Sequence, residues 1–244
     1  MLPSPAIDKL TNTRSTMRQF SRRDLIGMLG AASLTGLGGC AADDSTLELL
    51  RASFFDKKGS AAGYPTTADQ IADLPYATLG VQIGDGKPAV MVLAQVQATG
   101  LVWASKDRVV FITRGGRLVQ TVGLPRDLSR EVSIGEDPIA QPPVRWPEGP
   151  VTINRLIDLH APDEFSVPVR STLQALGQER IEILGRPRSG MHVAEHVEVD
   201  TWNWRTTNQF WVDMHEGYVW RAIVSYCPQT PPIKMELLKP AART

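Results

Sequence analysis

Residues 89–122 read AVMVLAQVQATGLVWASKDRVVFITRGGRLVQTV. Apolar and polar side chains alternate through them with a period of two, and β-branched and aromatic residues are enriched. That is the pattern of strands half buried on a sheet. The alternation breaks at Thr99-Gly100, Lys106-Asp107 and Gly115-Gly116, pairs that favour tight turns. The same pattern runs back to Tyr76 across Gly84-Asp85-Gly86. Strands are therefore expected over 76–83, 89–97, 101–105, 108–113 and 117–122. Connections this short cannot hold a crossover helix, so neighbouring strands must pair antiparallel. The fold class read from this stretch is all-β, built of antiparallel meander sheets.

Downstream, Pro138, Pro142, Pro143, Pro147 and Pro150 crowd together. Proline cannot donate to a ladder, so 138–150 reads as a connector rather than a strand. Beyond it the first meander is answered at a constant offset. Trp103 and Gly116 correspond to Trp204 and Gly217, Val92 and Val96 to Val193 and Val197, and Gly84 to Gly185. The expectation is an internal duplication, with one half over 75–137 and the other over 151–244. Upstream, Leu47, Leu49, Leu50, Phe54 and Phe55 follow Asp43 and Asp44, which fits one short helix over 45–55. A flexible break follows at 57–63, and 67–72 fits a further helical turn. Residues 40–74 thus read as anchor, short helix and linker.

Residues 1–39 read as an export signal. Arg22 and Arg23 stand just before an apolar run that starts at Leu25, the arrangement of a twin-arginine leader. The run is glycine-rich and shorter than the roughly 20 apolar residues a membrane span requires. It ends in Leu37-Gly38-Gly39-Cys40, the arrangement of a bacterial lipobox, in which the cysteine thiol takes the diacylglycerol. Met17 is a second candidate start, with Arg18 leading a short basic segment. Ala41, not Asp, follows the cysteine, which under the enteric sorting rule directs a lipoprotein to the outer membrane. Cys40 is the expected lipidation site, and the membrane is a partner reached through its acyl chains. Cys227 then has no intramolecular partner and is expected as a lone thiol packed in a strand.

The remaining composition is ordinary. Of 244 residues, 42% are apolar and 21% charged, enough to build a core without disulfide or metal staples. Basic and acidic residues number 26 each, which argues against a nucleic-acid partner, since that needs a basic stripe. The string His192-Val193-Ala194-Glu195-His196 matches H-x-x-E-H, a zinc pattern that requires a helix, where residues four apart share a face. Here Val193, Val197 and Val199 alternate, so the string is expected in a strand, where the imidazoles stand about 13 Å apart. No metal and no cofactor is expected. No nucleophile elbow, phosphate-binding loop or dinucleotide fingerprint occurs. Asp163, Glu164, Asp213 and Glu216 fall at expected turns or strand ends, where two could face each other as a glycosidase pair. They are the basis of an alternative reading as a periplasmic glycan-modifying hydrolase. Trp202 and Trp204 are expected on one side of a strand, either as core packing or as a stacking platform for sugar rings. A transmembrane barrel is set aside, because the strands are short and the tail is polar.

A set of short motifs runs the length of the chain: Tyr64-Pro65, Gln70-Ile71, Leu74-Pro75-Tyr76-Ala77, Trp103-Ala104-Ser105 with Asp107, and Gly116 through Leu124. It continues with Phe210-Trp211-Val212-Asp213, Gly217-Tyr218-Val219-Trp220-Arg221, Pro228 and Lys239-Pro240. In this order and spacing they resemble the YjbF family of capsule lipoproteins over essentially the whole mature chain. The resemblance implies antiparallel β-meanders, no catalytic residues, and a place in exopolysaccharide or capsule production or export. On that implication the expected protein is an outer-membrane-anchored periplasmic lipoprotein and a non-enzymatic accessory factor. Its expected partners are polysaccharide-export proteins or the nascent glycan. A structural envelope lipoprotein is the third reading. The twin-arginine leader departs from the general-secretory signal usual for the family, which bears on the export route.

Overall fold

Where the sequence alternates, the backbone is extended. The computed structural model describes residues 63–143 and 145–241, and twelve strands follow one another through them. They are β1 Thr78–Ile83, β2 Ala89–Gln97, β3 Gly100–Ala104, β4 Val110–Arg114, β5 Arg117–Val122 and β6 Asp127–Ile134. The rest are β7 Val151–His160, β8 Glu164–Ile183, β9 Arg186–Val199, β10 Trp204–Asp213, β11 Tyr218–Val224 and β12 Ile233–Lys239. Each pairs antiparallel with its chain neighbour except at the one junction β5–β6, and β1 pairs in addition with β12. One sheet results, in the order β5-β4-β3-β2-β1-β12-β11-β10-β9-β8-β7-β6.

The sheet curls until its two ends, β5 and β6, stand side by side. Side chains bridge this seam in place of a ladder. Thr121 Oγ1 accepts from the Leu128 N–H at 2.9 Å and donates to Asp127 at 3.1 Å, while Asp127 accepts from the N–H groups of Gly123 and Leu124. In a meander, alternate turns fall at opposite ends of the strands. The turns after β1, β3, β5, β7, β9 and β11 share one end, here called distal. The remaining turns and the last residues of β12 share the other, proximal end.

Alternation sorts the two faces. On β7, Ile153, Ile157 and Leu159 point inward while Thr152 and Asn154 are exposed. Trp103, Phe111, Phe210, Met91, Leu128, Leu173 and Val193 complete an almost fully buried interior. Each large apolar side chain removed from water contributes about 1.5–3 kcal/mol. A second cluster lies on the outer face, joining Ile71, Leu74, Ile181, Ile183, Trp211, Trp220 and Leu238. Helix α1, Ala68–Asp73, supplies part of it. Thr67 caps α1 with a capping box, accepting from the Gln70 N–H while Gln70 accepts from its own, and Pro75 keeps Leu74 extended. The tip of the long β8–β9 hairpin supplies Ile181 and Ile183, and β10, β11 and β12 supply Trp211, Trp220 and Leu238.

Several expectations change. Among the described residues of 138–150 there is no strand, yet Ile139 and Trp146 are buried in the interior, so the segment is part of the core as well as a connector. Strand β6 was not marked by periodicity, because polar Ser129, Arg130, Ser133 and Glu131 interrupt it. The two halves do not repeat element for element. Residues 105–109 turn between β3 and β4, whereas their counterparts 206–210 run straight through β10. Cys227 is fully buried, but in the loop after β11 rather than in a strand. The expected helix over 45–55, the signal residues Arg22, Arg23, Leu37, Gly38 and Gly39, and Cys40 lie outside the described residues.

Candidate functional site

Inside the sheet, charges occupy positions that alternation assigns to apolar residues. Arg155 lies in phase with Ile153 and Ile157 on β7, and Glu195 with Val193 and Val197 on β9. Asn208 shares its phase with Phe210 on β10. The turn before β5 leans against β11, which carries Arg117 inward to meet Glu131 of β6 and Asp137 of the following loop.

These side chains form one network. Arg117 donates through Nη1 to both Glu195 oxygens at 2.8 and 2.9 Å, and through Nε and Nη2 to Asp137 at 2.9 and 3.0 Å. Such bidentate pairs are the strong form of ion pairing. Arg155 donates to Glu131 at 2.7 Å and to Ser171 at 2.8 Å, and approaches Glu195 at 3.2 Å. Asn208 donates to Glu195 at 2.8 Å, and the Arg117 guanidinium lies 5.3 Å from the centre of the Phe210 ring. The environment splits the acids. Burial opposes ionisation of all three, but Arg117 and Arg155 outweigh it at Glu195 and hold that carboxyl below its ordinary range. Arg117 and hydrogen bonds likewise bring Asp137 down to about 2. At Glu131 burial wins over the attraction of Arg155 and Arg117, and the carboxyl is raised.

Two carboxylates pushed apart in this way are the pattern of an acid–base pair. Here they are sealed. The side chains of Glu131 and Glu195 are 3% and 0% exposed, and neither lines the cavities at the proximal end. The network closes the space between β5–β10 instead.

One cavity, of about 200 Å³, opens at the proximal end between Leu79, Leu101, Trp103, Tyr218, Val219 and Met235. Its rim is the Gly115-Gly116 turn. Gly115 has φ +56°, and a Cβ there would sit 2.5 Å from the Ile139 carbonyl oxygen; one on Gly116 would sit 2.5 Å from Val219. A groove of about 220 Å³ lies outside the sheet, between α1 and the β8–β9 tip.

The residues singled out by sequence are placed as follows. Trp202 is in a single 3-10 turn, Asp200–Trp202, and only Trp204 belongs to a strand, so they do not share one strand face. They meet edge to face at 6.2 Å, half-buried against the interior, at the distal end. Trp202 Nε1 donates to Glu164 at 2.7 Å, and Glu164 also pairs with Arg126. Asp163 pairs with His160 at 2.6 Å. Asp213 accepts from the N–H groups of His215 and Glu216 and from Trp220 Nε1. Glu216 meets His215 at 3.1 Å. Asp163, Asp213 and Glu216 thus have partners within their own turns, while Glu164 ties the β5–β6 turn to Trp202. His192 and His196 stand on β9 as expected, His192 stacked on Trp211 at 4.5 Å. Among the described residues no three metal-ligating side chains gather. The network acids were missed by sequence reading. Their signal is a charge in the apolar phase of a strand, as at Arg155 and Glu195.

Comparison with known proteins gives consistent relatives. The family model described as group 4 capsule polysaccharide lipoprotein gfcB, YjbF matches residues 48–238. The chain is 30% identical over 213 residues to the uncharacterized lipoprotein GfcB of Escherichia coli K12, spanning 84% of this chain and 94% of that one. It is 25% identical over 198 residues to the uncharacterized lipoprotein YjbF of the same organism, covering 81% and 91%. The crystal structure of the hypothetical lipoprotein YmcC from E. coli K12 superposes with a TM-score of 0.66 at 25% identity, covering 93% of this chain and all of that one.

Proposed function

This chain belongs to the YjbF family of group 4 capsule polysaccharide lipoproteins, and on that premise we propose a non-catalytic role in exopolysaccharide or capsule production or export. The protein is held at the periplasmic face of the outer membrane by acyl chains on Cys40, and its β-body docks export proteins or the nascent glycan. The observation that carries the non-catalytic part is the sealed network: the acids with opposed proton affinities lie in a filled interior, not in a cleft. A hydrolase needs such a pair open to substrate and water.

Docking then falls to the outside. Helix α1 packs at the proximal end, where Lys239 closes it, and among the described residues no α-helix covers the distal end. There Phe165 is 72% exposed, next to the Glu164 that fixes Trp202. We place the partner contact on this distal rim.

The test is secreted polysaccharide from the native host lacking this gene, restored with wild type or with Cys40→Ala. Restoration by the acylatable form alone is the expected result. A change of chain length or composition at constant amount would favour the hydrolase. No change of any kind would leave a structural envelope lipoprotein.

A further inference from the structure

The groove between α1 and the β8–β9 tip joins two chemistries. Ile71, Ile183, Leu184 and Leu238 make its floor, and Arg186, Arg188 and Lys239 its rim. The three cations are not equally engaged. Lys239 Nζ donates to the carbonyls of Ala72, at 2.8 Å, and Leu74, closing the end of α1. Arg186 pairs at 3.0 Å with Asp69, whose side chain is 94% exposed. The Arg188 side chain, on the β8–β9 ladder, has neither an ion pair nor a hydrogen bond among the described residues. Its guanidinium lies 4.3 Å from the centre of the Trp220 ring, and its buried Nε has no partner.

A guanidinium has five donors in a rigid fork, and stacking on an indole fixes the fork without using them. An arginine so held is set up to receive an oxyanion that arrives from solvent. The apolar floor asks for more than a free ion: it fits a molecule with an anionic head and a hydrocarbon neighbour. We propose that this groove takes the phosphate of an anionic phospholipid headgroup, with Arg188 as its main contact and the glycerol and first methylenes on the apolar floor. Arg186 is the second contact, because its exposed pair with Asp69 is weak and exchanges readily. The proposal rests on the lipoprotein reading, since a chain acylated at Cys40 is held beside a headgroup layer that offers such phosphates. Anionic lipid and a tryptophan beside the basic rim are then in their usual company.

The test uses the full acylated protein reconstituted into vesicles of phosphatidylglycerol or of phosphatidylcholine, with amide exchange followed by mass spectrometry. Flotation with both vesicles reports anchoring by itself, so failure to float marks failure of the lipoprotein reading. Given flotation, amides over 68–74 and 183–188 are expected to exchange about fivefold more slowly on phosphatidylglycerol, the scale of one basic side chain at an anionic surface. Arg188→Met, which keeps the stem on Trp220, is expected to abolish that difference, and Arg186→Gln to reduce it. Equal exchange on the two lipids, or a difference that survives Arg188→Met, overturns the proposal. Protection on phosphatidylcholine that appears only when polygalacturonate is added, and depends on Arg188, overturns it in favour of an acidic glycan.

Discussion

Of the two glutamates in the buried network, Glu195 is the better satisfied. Glu195 accepts from Arg117 and Asn208 and attracts Arg155, whereas one oxygen of Glu131 has no hydrogen-bond partner. Removing one side of a buried pair leaves the other charge desolvated, which costs about 3–5 kcal/mol. Glu195→Gln should therefore lower stability by that amount at pH 7, read from urea midpoints. Glu131→Gln should cost clearly less, because burial already favours the protonated form. The pH dependence has opposite signs at the two ends. Asp137 and Glu195 have lowered folded-state values, so their stabilisation is complete above their unfolded values and is lost as pH falls. For Asp137 the loss runs from 3.8 to about 2. Glu131 is raised, so its contribution is full below its unfolded value of 4.5 and is lost as pH rises through the folded one. Wild-type midpoints should fall steeply on acidification below pH 4, and Glu131→Gln should remove the decline above 4.5. A variant that declined with pH as the wild type does would contradict this assignment.

At the scale of elements, two contacts hold the proximal end together. The β4–β5 turn reaches across to β11, where a Cβ on Gly116 would overlap Val219 at 2.5 Å. Gly116→Ala is expected to cost about 1–3 kcal/mol by overpacking, and Val219→Ala in the same chain to return part of it. A thermal melt of the single and double variants checks this; additive losses would mean that the turn does not touch β11. The proline-rich segment is the second contact. Ile139→Ala should cost about 2–5 kcal/mol and Trp146→Ala about 3–5, values foreign to a surface linker. These elements also show what sequence can and cannot carry. Strands β2 and β5 occupy the expected residues 89–97 and 117–122, since turn residues on each side bound a run rich in β-branched and apolar side chains. The connector was legible only as not a strand, because proline content says where a ladder is impossible and nothing about what Ile139 packs against. The apparent duplication failed for a related reason: apolar alternation aligns any two strands in phase, whereas a turn at 105–109 and none at 206–210 is decided by tertiary pairing.

On the scale of the whole molecule, the network and the distal rim were hidden from sequence because their members are far apart in the chain. Arg117 and Glu195 are separated by 78 positions, and neither residue has a local signature that names the other. Trp202 and Trp204 were visible as a cluster, but the 3-10 turn that separates their faces was not. What the closed sheet adds is a direction, with α1 at one end and Phe165 at the other. That direction makes the docking proposal separable from stability. Phe165 is exposed, so Phe165→Ser should change stability by no more than about 0.5 kcal/mol. Val96 is 67% exposed near the proximal end and is the matched control. If the distal rim meets the export machinery, Phe165→Ser should fail to restore secreted polysaccharide in the deletion host at wild-type lipoprotein levels, while Val96→Ser restores it fully. Equal restoration by both would move the contact off the distal rim. Equal failure would point to loss of apolar surface in general, and hence to an interaction with no preferred end.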